Sequence, residues 1–232
     1  IGSLIGAAFL SLFIDLFAMI PVPQTEPLVA AIYGGAICDG ESTKTGGNLI
    51  IWDGATLNMY GGQIVDGKST NGGNVYLAGG NLNLCEGASI SGGSLYIAPQ
   101  TSYTMTTGTI SGDVYVPADA QWILSGATVT GDIHTVGTLR VEGGSIGGNL
   151  YIHSGDVYLA GGNITGQVMA EGGTVYIENG AKVAAENGGL TIGGATADLV
   201  VGSNAFDSLD GAQSMLNPGG SVVLFGAHGV GK

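Results

Sequence analysis

The chain repeats itself on a step too short for anything but stacked strands. Short strings of alternating apolar and polar residues recur between Gly-rich breaks, and they fall into three types. The first type reads NLII, NVYL, SLYI, DVYV, DIHT, NLYI and QVMA, starting at residues 48, 74, 94, 113, 132, 149 and 167. The second reads TLNM, NLNL, SYTM, QWIL, TLRV, DVYL and TVYI, starting at 56, 81, 102, 121, 138, 156 and 174. The third is shorter and centres on Ile37, Ile64, Ile90, Ile110, Val129, Ile146, Ile164 and Val183. From Ile90 onward these centres are 17 to 20 residues apart. Polar inserts at 41–45 and 68–71 lengthen the first coils. A coil this short cannot hold a helix and three strands, so the expected class is all-β, a parallel β-solenoid (β-helix) with three short strands per coil. Coils stacked about 4.8 Å apart would make a rod roughly 35 Å long from seven or eight turns.

Strand alternation assigns the faces. On the first type Leu49, Val75, Leu95, Val114, Ile133, Leu150 and Val168 point inward, and Ile50, Tyr76, Tyr96, Tyr115, His134, Tyr151 and Met169 point outward. On the third type the branched aliphatic centres point inward between outward Ser and Thr. One face is thus aromatic, and another is flat and hydroxylated.

Composition narrows the class further. Gly supplies 45 of the 232 residues without a G-X-Y period, and Pro only 6, which excludes collagen and makes the glycines turn punctuation. Five Lys plus Arg against eighteen Asp plus Glu give a net charge of −13, which excludes a nucleic-acid partner for want of clustered cations. The remaining polarity is hydroxyl and amide, a surface suited to an extracellular or cell-surface location.

Residues 1–20 are almost wholly apolar, carry one charge at Asp15 and end at Pro21-Val22-Pro23, which is enough for a helix one membrane thick. The segment fits a retained membrane or assembly helix, a hydrophobic cap on the solenoid, or an uncleaved signal. It resembles the assembly helix of type IV pilin-like subunits, although Ile5 stands where bacterial pilins usually have Glu. Its apolar side chains Leu4, Phe9, Leu12, Phe13, Leu16 and Phe17 are the assembly or anchor candidates, with the membrane or a second copy of the chain as partner. The expected organisation is this helix and a linker at 1–31, the solenoid at 32–201, and a C-terminal cap at 202–232 with a short helix at 205–216 and a strand at 222–225. Solenoid ends need such covers, because open strand edges template unwanted pairing.

The strings NGGNVYLAGGN and YGGQIVDG resemble the Gly-Gly-Asn-Val-Tyr type repeats of large surface proteins from gut-dwelling Gram-positive bacteria. The resemblance covers about residues 48–164, and it implies a secreted or wall-associated location without a particular activity.

Several groups are candidates for chemistry. Asn48, Asn74, Ser94, Asp113, Asp132, Asn149 and Gln167 share one position at the mouth of a turn. Asp113 and Asp132 on adjacent coils could hold a cation such as Ca²⁺, while a ladder of turn-forming side chains explains the same pattern. No other cofactor is implied. The outward tyrosines Tyr76, Tyr96, Tyr115 and Tyr151 could meet a glycan or another rod, or simply stack within one rod. The hydroxyls of Ser91, Thr109, Ser111, Thr128, Thr130 and Thr165 resemble the Thr-x-Thr rows of ice-binding solenoids, but only Thr128-Val129-Thr130 matches in full. Arg140 is the only Arg, and His134, His153 and His228 look scattered, so no face gathers two carboxylates beside a base as a polysaccharide lyase or hydrolase requires. The G-x4-G-K match at 226–232 lacks a following Ser or Thr and a helix, so it does not predict a nucleotide site. Cys38 and Cys85 lie on different faces, and no disulfide between them is expected.

The expectation that unites these features is a non-catalytic extracellular structural protein, a cell-surface or pilus-like filament subunit with a solenoid body. A binding module is the second class, either a glycan adhesin through the tyrosines or an ice binder through the Ser/Thr face. A polysaccharide lyase or hydrolase is the third.

Overall fold

The computed structural model describes residues 28–85, 87–178, 181–183, 190–201 and 221–224. These residues contain strands and no helix, and every strand pairs in parallel with the equivalent strand of a neighbouring coil. The molecule is a parallel β-solenoid. The expected N-terminal helix with Leu4, Phe9, Leu12, Phe13, Leu16 and Phe17, the short helix at 205–216, His228 and the G-x4-G-K match lie outside the described residues.

The register follows the repeat. The third type forms an eight-stranded sheet in which Ile37, Ile64 and Ile90 pair in turn, followed by Ile110, Val129, Ile146, Ile164 and Val183. The first type stacks Leu49, Val75, Leu95, Val114, Ile133, Leu150 and Val168 in the same manner. The described members of both columns are at most 8% exposed and form one continuous core with the inward residues of the second type. Two of those inward residues are aromatic, since alternation carries Tyr103 and Trp122 into the core beside Met105 and Leu124.

Three differences from the expected layout have local causes. The first solenoid strand is Leu28–Ile32, paired with Ala55–Met59, so the ladder starts inside the segment expected to be linker. At the other end, Ser221–Leu224 pairs in parallel with Leu190–Val201, so the expected cap strand extends the sheet. The strings at 167 and 174 merge into one strand, Val168–Ile177, which bends at Gly172-Gly173, where Gly173 takes φ +77°. That strand joins the first and second faces into one 13-stranded sheet.

The second face is broken between Asn81–Leu84 and Ser102–Met105, which belong to different sheets. There the Tyr103 hydroxyl donates to the Leu82 carbonyl at 2.6 Å, and the Thr107 hydroxyl donates to the Leu84 carbonyl at 2.6 Å. Side-chain hydroxyls satisfy carbonyls that lack a strand partner, so the ladder is interrupted without stranding buried acceptors.

Candidate interaction faces

The turn that opens each first-type strand explains the Gly-Gly-Asn signature. Gly47, Gly73, Gly93, Gly112, Gly131, Gly148 and Gly166 precede the seven turn-mouth residues. A Cβ on Gly112, Gly131, Gly148 or Gly166 would collide with the backbone carbonyl of the equivalent glycine one coil below. The residue after that glycine then reaches between coils. Asp113 Oδ1 accepts the Asp132 N–H at 2.9 Å, Asp132 Oδ1 accepts the Asn149 N–H at 2.7 Å, and Asn149 Oδ1 accepts the Gln167 N–H at 3.1 Å. In the longer coils the amides do more. Asn74, fully buried, accepts from Gly67 N–H at 2.8 Å and from Asn48 Nδ2 at 2.7 Å, and donates to the Ser91 carbonyl at 2.7 Å. Asp113 and Asp132 therefore each commit one carboxylate oxygen to the turn. Calcium takes six to eight oxygens, and among the described residues no three His, Cys, Asp or Glu gather around a point that could hold a metal.

The aromatic face is a continuous stack. Tyr76 and Tyr96 have ring centroids 5.4 Å apart, Tyr96 and Tyr115 6.4 Å, Tyr115 and His134 5.1 Å, and His134 and Tyr151 4.8 Å. Their planes lie within 26° of one another, as residues in register on neighbouring coils should. Partial burial raises the phenol pKa of Tyr96 and Tyr115 above the ordinary value. The four tyrosines are brought together as expected, but their ring faces are spent on each other. A sugar stacks on a ring face, so this ladder offers a ligand mainly edges and hydroxyls.

His134 and His153, which look scattered in the sequence, are neighbours: their ring nitrogens approach to 3.4 Å, and Glu171 meets the far nitrogen of His153 at 2.8 Å. The repeat alignment contains the signal. His153 lies one coil above His134 and two residues further along an outward row, which makes the two diagonal neighbours.

On the hydroxyl face Thr109, Thr128 and Ser145 form one column, and Ser91, Ser111, Thr130 and Thr165 flank it. The Ser145 hydroxyl donates to Thr128 Oγ1 at 3.2 Å, and Thr165 Oγ1 donates to the Ile146 carbonyl at 3.4 Å. Gly147 and Asn163 interrupt the two rows.

The second face carries a small ion-pair network. Arg140 donates from both terminal nitrogens to Glu178 at 3.1 and 3.0 Å and from Nε to Glu142 at 2.9 Å, and it lies 5.5 Å from the centre of the Tyr158 ring. Hydrogen bonds to these carboxylates raise its pKa further. Tyr158 stacks on Tyr176 at 4.4 Å. Here the one guanidinium binds three coils together. An open groove of about 510 Å³ runs along the glycine turns between Lys68, Ser94, Ser111, Asp113 and Tyr115. Cys38 and Cys85 are both free.

The N-terminal end of the rod differs from its sides. Leu28–Ile32, Ala36–Cys38 and Leu49–Trp52 are the end strands of their sheets, and each bonds one neighbouring strand among the described residues. The exposed large apolar side chains gather there: Leu28, Val29 at 59%, Tyr33 at 79%, Trp52 at 57% and Tyr60. Among the described residues only Val136 adds another, further along the rod.

These features define a parallel β-solenoid rod with stacked side-chain ladders and an apolar end. Comparison with protein-family models, curated proteins and solved structures finds no match.

Proposed function

We propose that this protein is a non-catalytic structural subunit of a cell surface or extracellular filament, assembling through the N-terminal end of its rod. The observation that carries this reading is the coincidence of open strand edges with Leu28, Val29, Tyr33 and Trp52 at one end. Open edges and apolar surface are each a drive to associate, and both lie at the end of the rod that follows the apolar stretch 1–20 in the sequence. The sides support the same reading, because ring faces, turn carboxylates and the arginine are engaged within the rod rather than turned to a substrate. The charge of −13 and the hydroxyl-rich exterior support an extracellular place, as does the likeness of the repeats to bacterial surface-protein repeats. A binding module remains the second reading, favoured by the groove beside Asp113 and Tyr115, where a glycan could reach the hydroxyl of Ser111.

Sedimentation velocity of the full chain and of its Val29→Lys/Trp52→Lys variant, over a hundredfold range of concentration, tests the proposal. A structural subunit gives species that grow with concentration in the full chain and a single small species in the variant. A full chain that stays monomeric throughout would refute assembly, and glycan arrays would then test the second reading.

A further inference from the structure

His134 Nδ1 and His153 Nε2 are 3.4 Å apart, in rings whose planes differ by 7° and whose centroids are 5.7 Å apart. At that separation the rings meet edge to edge with the two nitrogens facing. Each ring is held. His134 is clamped between Tyr115 and Tyr151 at 5.1 and 4.8 Å, and Glu171 Oε2 lies 2.8 Å from His153 Nδ1. A carboxylate at Nδ1 keeps the proton there and leaves a lone pair on Nε2, the arrangement by which an outer carboxylate orients a metal-binding histidine. Two imidazole nitrogens on one ion, each about 2.0–2.1 Å from it and at a right or tetrahedral angle, stand roughly 2.9–3.4 Å apart.

We propose that His134 Nδ1 and His153 Nε2 chelate one divalent transition ion, copper(II), nickel or zinc, with Glu171 holding His153 from behind. The two nitrogens lie on the line between the ring centroids, so each ring must turn by about 35–45° for the lone pairs to meet at a common point on the solvent side, where water fills the remaining positions. His134 shifts its proton from Nδ1 to Nε2 on binding, so neutral imidazoles release none. Imidazole donors favour these ions over calcium or magnesium. With two protein donors the site is exchangeable and keeps coordination positions open.

Titration calorimetry of the untagged full chain at pH 7.5 with copper(II), nickel or zinc chloride alone tests this. The expected result is one ion per chain, tightest for copper. His134→Ala and His153→Ala should each weaken binding by more than about 100-fold, and Glu171→Gln by about 10-fold, the range for losing an outer-shell partner. His153→Gln, which keeps a polar outward side chain, should behave like His153→Ala. His228→Ala should leave binding unchanged, and unchanged metal-free melting curves would show the variants folded. Stoichiometric binding that survives the double His134/His153 variant, or is lost in His228→Ala, would overturn the site. So would a wild-type affinity equal to that of the double variant.

Discussion

Gly131 is where a single methyl group should do most harm. Its position has ordinary backbone angles, yet an added Cβ meets the carbonyl oxygen and carbon of Gly112, and backbone atoms cannot rotate away. Gly131→Ala should therefore cost about 2–3 kcal/mol, read as a lower urea midpoint, by forcing two coils apart. Gly34→Ala, with no atom within 4 Å of the new Cβ, should change stability by less than about 0.5 kcal/mol. Equal effects at the two sites would contradict the close-approach account. Trp122 poses the opposite problem, since it is fully buried and its Nε1 has no hydrogen-bond partner. Trp122→Phe removes that unsatisfied donor while leaving some empty volume, and the two effects should nearly cancel. Trp122→Ala should lose about 3–5 kcal/mol, so thermal melts of the pair separate bulk from polarity. The glycines were legible in the sequence as turn residues, but their packing on the coil below was not, because close approach between coils leaves no mark on hydropathy. Tyr103 and Trp122 could have been placed inward from their alternation with Met105 and Leu124.

At the scale of one element, the break on the second face rests on Tyr103. Its hydroxyl is buried and bonded to the Leu82 carbonyl, and burial raises its pKa above the ordinary phenol value of about 10. The fold favours the neutral phenol, so its contribution is whole below pH about 10 and is lost as pH rises from there toward the folded value. Stability measured by urea unfolding should fall between pH 9.5 and about 11.5, and Tyr103→Phe should flatten that slope while losing about 1 kcal/mol at neutral pH. An unchanged slope in the variant would assign the alkaline loss to other groups, such as Tyr96, Tyr115 and Tyr158, whose pKa values are also raised. The branched aliphatic column of the third face was legible, because its members from Ile90 to Ile164 alternate with Ser, Thr, Asn or Gly and the observed register matches the repeat. The sheet break was not, since it depends on which hydroxyl reaches which carbonyl. The His134–His153 contact was missed for a related reason: an alignment by repeat position compares residues in one column and passes over diagonal neighbours.

At the scale of the whole molecule, the solenoid makes strand edges unavoidable at its ends, and at the N-terminal end the described residues add exposed apolar surface. Among the described residues the parallel coils bury their aliphatic ladders from Ile37 to Ile177, so the sides there have no comparable drive to associate. Assembly should then run end to end. The Tyr76–Tyr151 ladder, already stacked within one rod, should contribute little, and the hydroxyl face should stay in water. The most direct measurement is negative-stain electron microscopy of the full chain beside two variants, Val29→Lys/Trp52→Lys at the end and Tyr96→Lys on the side. The account predicts filaments or strings of rods for the full chain and for Tyr96→Lys, and separate short rods for Val29→Lys/Trp52→Lys. Filaments that survive the charged end, or that vanish with Tyr96→Lys alone, would contradict it.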